Sequence, residues 1–433
     1  MLRRNGLALV AACAALASAG LVRAADDAAV SVSQPIRMDD TAVPATDAPA
    51  AETPRQPLMW LFDKAGLAKP LDDAGINIYG YVEGSYQHDF SAPPDLPGGP
   101  TNFINGRAFD VQSDVPNFNQ LDLTVERTVD PTKGKFDIGF RVEQIYGEDA
   151  AFIHSNGLTT YAPDKIGLAR KPKVQYDLNQ AYIDVAIPVG NGLDIRIGKF
   201  NTLLGYELIS PNANALFSHS FLFTQLPFTH TGVLASYNLT KELSVTGGVT
   251  RGWDQALEDV NGSLDATGQI KWASDKVAFY LNGITGPEQP SGASNVWRTV
   301  LDVIATYQYS DNLLLAVNGD YGWEPGIDAG KTGQWYGVAA YAKYKITDMF
   351  TLNVRGEWFD DQDGSAPGTF LGAPNQYYEA TLGLSITPFP LNNIGKNLVI
   401  RPEVRYDYAD KPTWDLGTDS NRLTAAVDAY FQF

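Results

Sequence analysis

The chain is poor in cysteine and histidine. Its 433 residues include one cysteine, Cys13, and four histidines, His88, His154, His219 and His230. A lone cysteine forms no intrachain disulfide and no cysteine-ligated metal site. The histidines lack metal-ligand spacing. Ser218-His219-Ser220 is no triad, because adjacent residues of an extended chain point opposite ways. No Gly-x-Ser-x-Gly elbow, phosphate loop or dinucleotide fingerprint occurs in its proper context. The residues point to no enzyme, metal site or cofactor. Basic residues are outnumbered, 32 against 50 acidic ones, for a formal net charge of −18. That balance argues against nucleic acid as a partner. Past the N-terminus no apolar run approaches the ~18 residues of a membrane-crossing helix.

What the chain does have begins with a leader. Arg3 and Arg4 precede the apolar stretch 6–21, and Val22-Arg23-Ala24 fits the small-x-small cleavage rule, so residues 1–24 are expected to be a cleavable signal peptide for export. Val10-Ala11-Ala12-Cys13 faintly resembles a lipoprotein box, but too short an apolar segment precedes it. Residues 25–57 are rich in Ala, Asp and Pro and are expected to form a disordered tail. In 58–74, Leu58, Met59, Leu61, Phe62 and Ala65 recur at helical spacing, which predicts a short amphipathic segment, packed against the barrel or the membrane surface, or only loosely docked.

From 75 to 433 one unit repeats: an alternating strand, a tight polar turn, another strand, a long loop. Sixteen such strands are expected, the period allowing 14 to 18. In 349–359, Phe350, Leu352, Val354 and Trp358 oppose Thr351, Asn353, Arg355 and Glu357. Charges on every second residue require one wet side, and about ten residues per strand suffice to cross a bilayer at barrel tilt. Short turns are expected after even-numbered strands and long loops after every odd one, which places both termini on the periplasmic side. The expected fold class is all-β: a transmembrane antiparallel up-and-down β-barrel. Trp253, Trp272, Trp297, Tyr309, Trp323, Trp335, Trp358 and Tyr408 near strand ends predict interfacial girdles. The last strand, 421–433, alternates strictly and ends in Phe431, Gln432 and Phe433. It resembles the C-terminal signal of bacterial outer-membrane barrels, in which the terminal aromatic is read by the barrel-assembly machinery.

Gly198-Lys199-Phe200, Gly205-Tyr206-Glu207, Asn212-Ala213-Asn214 and Phe217-Ser218-His219-Ser220-Phe221, with Ile76–Gly84 as first strand, resemble the OmpL-like β-barrel porin-2 family over roughly 75 to 433. The resemblance implies a channel for small solutes in a Gram-negative outer membrane, without catalytic residues or a defined substrate. Membrane lipid and small hydrophilic solutes are then the expected partners, and a homotrimer is possible by analogy with sixteen-stranded porins. The third long connection, 202–230, is too apolar for a free loop and is expected to narrow the lumen, with Tyr206, Glu207, Asn212, His219, Phe221 and His230 as its candidate residues. The rim of the barrel is the other place it could pack. The wall charges expected to line the lumen are Arg141, Glu143, Arg196, Arg355, Glu357, Arg401 and Arg405. Arg141, Arg196 and Arg355 would set up a transverse field against Glu207. The competing reading is a plugged structural or surface-interaction barrel, with loops such as 91–117 and 147–176 serving adhesion.

Overall fold

A sheet with one polar and one apolar face has no free edge only when it closes on itself, and a free edge has no partner in lipid. The computed structural model describes residues 55–91, 93, 95, 101–158, 173–289, 296–328, 331–368 and 374–433. It shows a closed antiparallel barrel in which every strand pairs with its neighbours in sequence and the first with the last. The strands are β1 (Asn77–Asp89), β2 (Pro116–Arg127), β3 (Asp137–Gly147), β4 (Gln175–Ile187), β5 (Leu193–Asn201), β6 (Thr229–Asn238), β7 (Leu243–Thr250) and β8 (Asp265–Ala273). They continue as β9 (Val277–Pro287), β10 (Trp297–Ser310), β11 (Leu313–Asp328), β12 (Lys331–Lys345), β13 (Phe350–Asp361), β14 (Asn375–Ile386), β15 (Leu398–Ala409) and β16 (Asn421–Gln432). The seam runs from Tyr81 opposite Gln432 to Asp89 opposite Thr424. Beyond it Phe433 N–H donates to Gly80 O at 2.8 Å, and Gly80 N–H to Phe433 O at 2.9 Å.

The wall is apolar outside and polar inside. On β16, Leu423 and Val427 are each 40% exposed while Arg422 and Asp428 are each 1% exposed. On β13 the inward row is Asn353, Arg355, Glu357, Phe359 and Asp361, all buried. This matches the inside-out burial a lipid-facing barrel needs.

Three expectations change. The connection between β11 and β12 is not a long loop: the ladder carries on through Pro325 opposite Thr332 to Asp328 opposite Lys331, past a break in register. Proline is tolerated at such an irregularity because no ladder hydrogen bond depends on its nitrogen. Second, Trp253 and Trp335 belong to no girdle, being 5% and 0% exposed. Gly252, at φ 109°, turns the chain out of the strand before Trp253. Trp335 lies inward across Gly322, its partner in the ladder, where a Cβ would come within 2.1 Å of the indole. The outer aromatics do form a chain: Tyr321 to Trp323 at 5.3 Å, Tyr321 to Tyr336 at 6.2 Å and Tyr336 to Trp358 at 5.6 Å. Third, alternation fails at Asn119-Gln120 and at Asn179-Gln180, where the ladder skips a residue and both side chains of each pair turn inward. A bulge re-aims side chains in this way.

The amphipathic segment forms two short helices, α1 (Pro57–Lys64) and α2 (Ala68–Ala74), with Met59 and Ala68 buried. Arg127 Nε at the end of β2 donates to Ala74 O at 3.0 Å and holds the segment at the mouth where the short turns lie. The expected signal peptide, 1–24, lies outside the described residues, as does the expected tail up to residue 54.

Candidate functional site

The connection from β5 to β6, residues 202–228, is inside the barrel. Its apolar residues dictate that: Leu204, Phe217, Phe221, Leu222 and Phe223 are buried, and water offers them nothing comparable. Its backbone polar groups then need partners from the wall. Gly205 N–H donates to Asp302 on β10 at 3.2 Å, and Tyr206 N–H to Asn318 on β11 at 3.0 Å. The Tyr206 ring packs on Tyr341 of β12 at 4.6 Å. On β2, Gln120 Nε2 donates to Ile209 O at 3.0 Å. The chain then meets β15, where Arg401 donates to the carbonyls of Pro211 and Asn214 at 2.9 and 2.8 Å. Glu403 accepts from Phe217 N–H at 2.8 Å. On β13, Glu357 accepts from Phe221 N–H at 2.7 Å and Leu222 N–H at 2.8 Å. The segment rejoins β6 where Phe228 and Thr229 N–H groups donate to Asp254 at 2.8 and 2.9 Å.

Four of the charges expected to line a watery lumen, Arg355, Glu357, Arg401 and Arg405, hold this loop instead. Arg355, 0% exposed, pairs with Glu207 and with Glu379, both at 2.7 Å, and donates to Ser218 O at 2.6 Å. Arg405 donates to His219 O and pairs with Asp407 at 2.7 Å. Arg401 pairs with Asp428 at 2.7 Å and Glu83 at 3.3 Å. Arg141, Arg196 and Arg355, expected to set up a transverse field against Glu207, are each paired at short range. Arg355 touches Glu207, Arg141 pairs with Glu143 at 2.7 Å, and Arg196 pairs with Asp184 at 2.9 Å. Opposite charges on alternating inward positions neutralise one another locally.

Of the loop candidates, Tyr206, Glu207, His219 and Phe221 sit at these anchors. Phe221 stacks on Trp414 at 6.0 Å with the planes 8° apart. Asn212 makes no anchor; Asn214 braces the loop instead, exchanging hydrogen bonds with Leu208 at 2.9 and 2.6 Å. His230 is in β6, its Nδ1 donating to Gly252 O at 3.0 Å and its Nε2 meeting Thr202 Oγ1 at 3.2 Å. His219 has other neighbours, stacking on Phe223 at 4.1 Å and meeting Phe109 edge-on at 5.1 Å. Among the described residues no three His, Cys, Asp or Glu groups could share a metal ion.

Phe109 belongs to the first long connection. It contacts Phe152 of the second at 5.7 Å and Phe223 and Phe228 of the third at 5.6 and 6.0 Å. In the same connection Arg107, 2% exposed, pairs with Asp110 at 2.9 Å and with Asp407 on β15 at 2.7 Å. Residues 103–111 and 150–153 therefore face inward, and these described parts of 91–117 and 147–176 present no adhesive surface. Sequence reading missed Arg107, Gln120, Asp302 and Asn318. The Asn-Gln pairs that interrupt alternation, and an arginine set among Phe103, Ile104 and Phe109, were the available signals.

Burial acts to raise the Glu207 carboxyl, but the Arg355 guanidinium and the Ser220 N–H and O–H donors outweigh it and hold it below the usual range. Burial pushes the His219 imidazole down to about 4, against the pull of Glu207. At neutral pH the loop therefore carries an ionised carboxylate and a neutral histidine. Between the loop and the wall of β1, β2 and β15 remains a cavity of about 10 Å³, bordered by Glu83, Gln120, Ile209 and Arg401. At the short-turn mouth a vestibule of about 190 Å³ opens against β2 to β7.

A family model described as "Putative beta-barrel porin-2, OmpL-like" matches residues 75–433. No curated protein matches. Among solved structures, Pseudomonas putida OprB is similar with a TM-score of 0.56 at 14% identity, over 86% of this chain and 97% of that one. An anion-selective porin from Comamonas acidovorans gives 0.54 at 11%, over 83% and 99%. The outer membrane channel DcaP of Acinetobacter baumannii gives 0.52 at 13%, over 83% and 97%. At such identities the likeness shows the fold.

Proposed function

The chain belongs to the OmpL-like β-barrel porin-2 family, and on that premise we propose that it is an outer-membrane porin through which small hydrophilic solutes or ions diffuse passively, past a constriction made by the loop 202–230. The observation that carries this reading is the Glu207–Arg355 contact at 2.7 Å, which fastens the loop to β13 within the lumen. A loop that rises from β5 and is tied to β10–β13, β15 and β2 narrows any route between the two mouths. The vestibule of about 190 Å³ against β2 to β7 is roomy enough to admit a small solute, whereas the cavity on the β1, β2 and β15 side holds about one water. The leader 1–24 would deliver the chain for export and Phe431 and Phe433 would present it to the assembly machinery. The reading requires no catalysis. Purified protein inserted in a planar bilayer should give stepwise conductance. A barrel that inserts and never conducts would move the plugged, structural reading to first place, and the near-complete burial of Arg355, Glu357 and Arg405 is what favours that alternative.

A further inference from the structure

The vestibule at the short-turn mouth is lined by a carboxylate, Asp194, that forms no ion pair among the described residues. It lies between the β2–β3 hairpin and the inner faces of β4 to β7, with a volume of about 190 Å³. A water needs roughly 10–15 Å³ by this measure, so a small solute enters with water to spare. Five carboxylates line it: Glu126, Asp130, Asp137, Asp184 and Asp194. Four have cations, Glu126 with Arg141 at 3.4 Å, Asp130 with Lys133 at 3.8 Å, Asp137 with Arg127 at 2.8 Å and Asp184 with Arg196 at 2.9 Å.

Asp194 has none among the described residues. It is 8% exposed, and its Oδ1 has no hydrogen-bond partner. Arg196, two residues along on the same face of β5, is engaged elsewhere. It holds both oxygens of Asp184 at 2.9 and 3.0 Å, and its guanidinium lies 3.9 Å over the Tyr182 ring. A buried carboxylate without a counterion is unfavourable, and an incoming positive charge relieves it.

The surroundings say what kind of cation. Ser236 lies directly opposite Asp194 across the β5–β6 ladder, a pairing that sets Cβ atoms about 5 Å apart. Asn238 and Ser244 continue the polar wall, and Phe140, Val129 and Pro131 give it an apolar side. One carboxylate, hydroxyl and amide oxygens, and an apolar flank match the three donors and alkyl body of an ammonium group. Among the described residues no three His, Cys, Asp or Glu groups converge to cage a divalent metal. We propose that the vestibule binds a small organic cation bearing a primary ammonium group, with Asp194 as its counterion and Ser236 as a second acceptor.

The site belongs to the wall, so it stands whether or not the barrel conducts. Failure to conduct removes the porin reading alone, and failure to bind removes this one alone. Full-length protein in detergent is titrated calorimetrically at pH 7 with ethanolamine hydrochloride, with ethylene glycol as the neutral analogue and magnesium chloride as the metal arm. Saturable binding of the ammonium only is expected. Asp194→Asn should weaken it at least tenfold. Ser236→Lys, which places an ammonium opposite Asp194, should abolish it and raise the thermal midpoint. If Asp194→Asn does not yield a folded, heat-modifiable barrel, Ser236→Lys carries the test. No ethanolamine binding, equal binding by the folded variants, or binding of magnesium alone would overturn the proposal.

Discussion

Glu207 Oε1 stands 2.7 Å from Arg355 Nη1, joining the loop that leaves β5 to a strand eight places further along the barrel. The same guanidinium holds Glu379 at 2.7 Å and Ser218 O at 2.6 Å. Removing one partner of a buried ion pair costs about 3–5 kcal/mol. Arg355→Ala should therefore destabilise the barrel by that order, measured by urea unfolding in detergent, and should raise single-channel conductance as the loop loosens. Glu207→Gln keeps a hydrogen-bond acceptor and should do less of both.

The pH dependence of the loop has a definite sign. His219 titrates near 6.5 in the unfolded chain and near 4 in the fold, chiefly through burial. The unfolded chain takes up its proton first, so this residue's contribution to stability is present above about pH 6.5 and is lost as pH falls toward 4. Between pH 7 and 5 the loss should be on the order of 1–2 kcal/mol. His219→Phe keeps the stack on Phe223 and should flatten that part of the profile. Glu207 acts lower: its carboxyl is held below the usual range, so its contribution is present above about pH 4.3 and disappears as pH falls through the lowered value.

Much of this was legible beforehand. Alternation located the strands, apart from the bulges at Asn119-Gln120 and Asn179-Gln180, because each must present one face to lipid and one to a polar interior; the period alone allowed 14 to 18 of them. The composition of 202–230 was enough to say that the loop is buried, since an apolar connection has to be covered somewhere, but not whether it lies in the lumen or over the rim. Alternation tells which side a charge faces but not what it meets there. Arg355, Arg401 and Arg405 were expected to face a watery lumen; they face the loop, because each loop carbonyl needs a donor and the wall supplies guanidinium groups. Partners far apart in sequence, such as Arg107 and Asp407, leave no periodic trace.

Asp407 gathers Arg107 at 2.7 Å, Arg405 at 2.7 Å and Arg422 at 3.1 Å. Asp407→Ala leaves three buried guanidinium groups around a gap. The loss should reach or exceed the roughly 3–5 kcal/mol of a single broken buried pair. It should also free the first long connection from the wall, seen as faster proteolysis within 101–112 of the variant than of the parent barrel.

Phe433 closes the seam with two backbone hydrogen bonds to Gly80, at 2.8 and 2.9 Å. Deleting it should lower the yield of assembled, heat-modifiable barrel in cells more than the yield of detergent refolding. Equal losses in the two assays would mean that the residue acts through the seam alone.

The central claim is that the loop between β5 and β6 narrows an open pore. The most direct test compares single-channel conductance of the parent protein with a variant whose residues 203–227 are replaced by a short Gly-Ser linker, both confirmed as folded barrels. A stepwise parent conductance that rises several-fold in the variant is the predicted result. Equal conductance in the two, or a parent that never conducts, would contradict it.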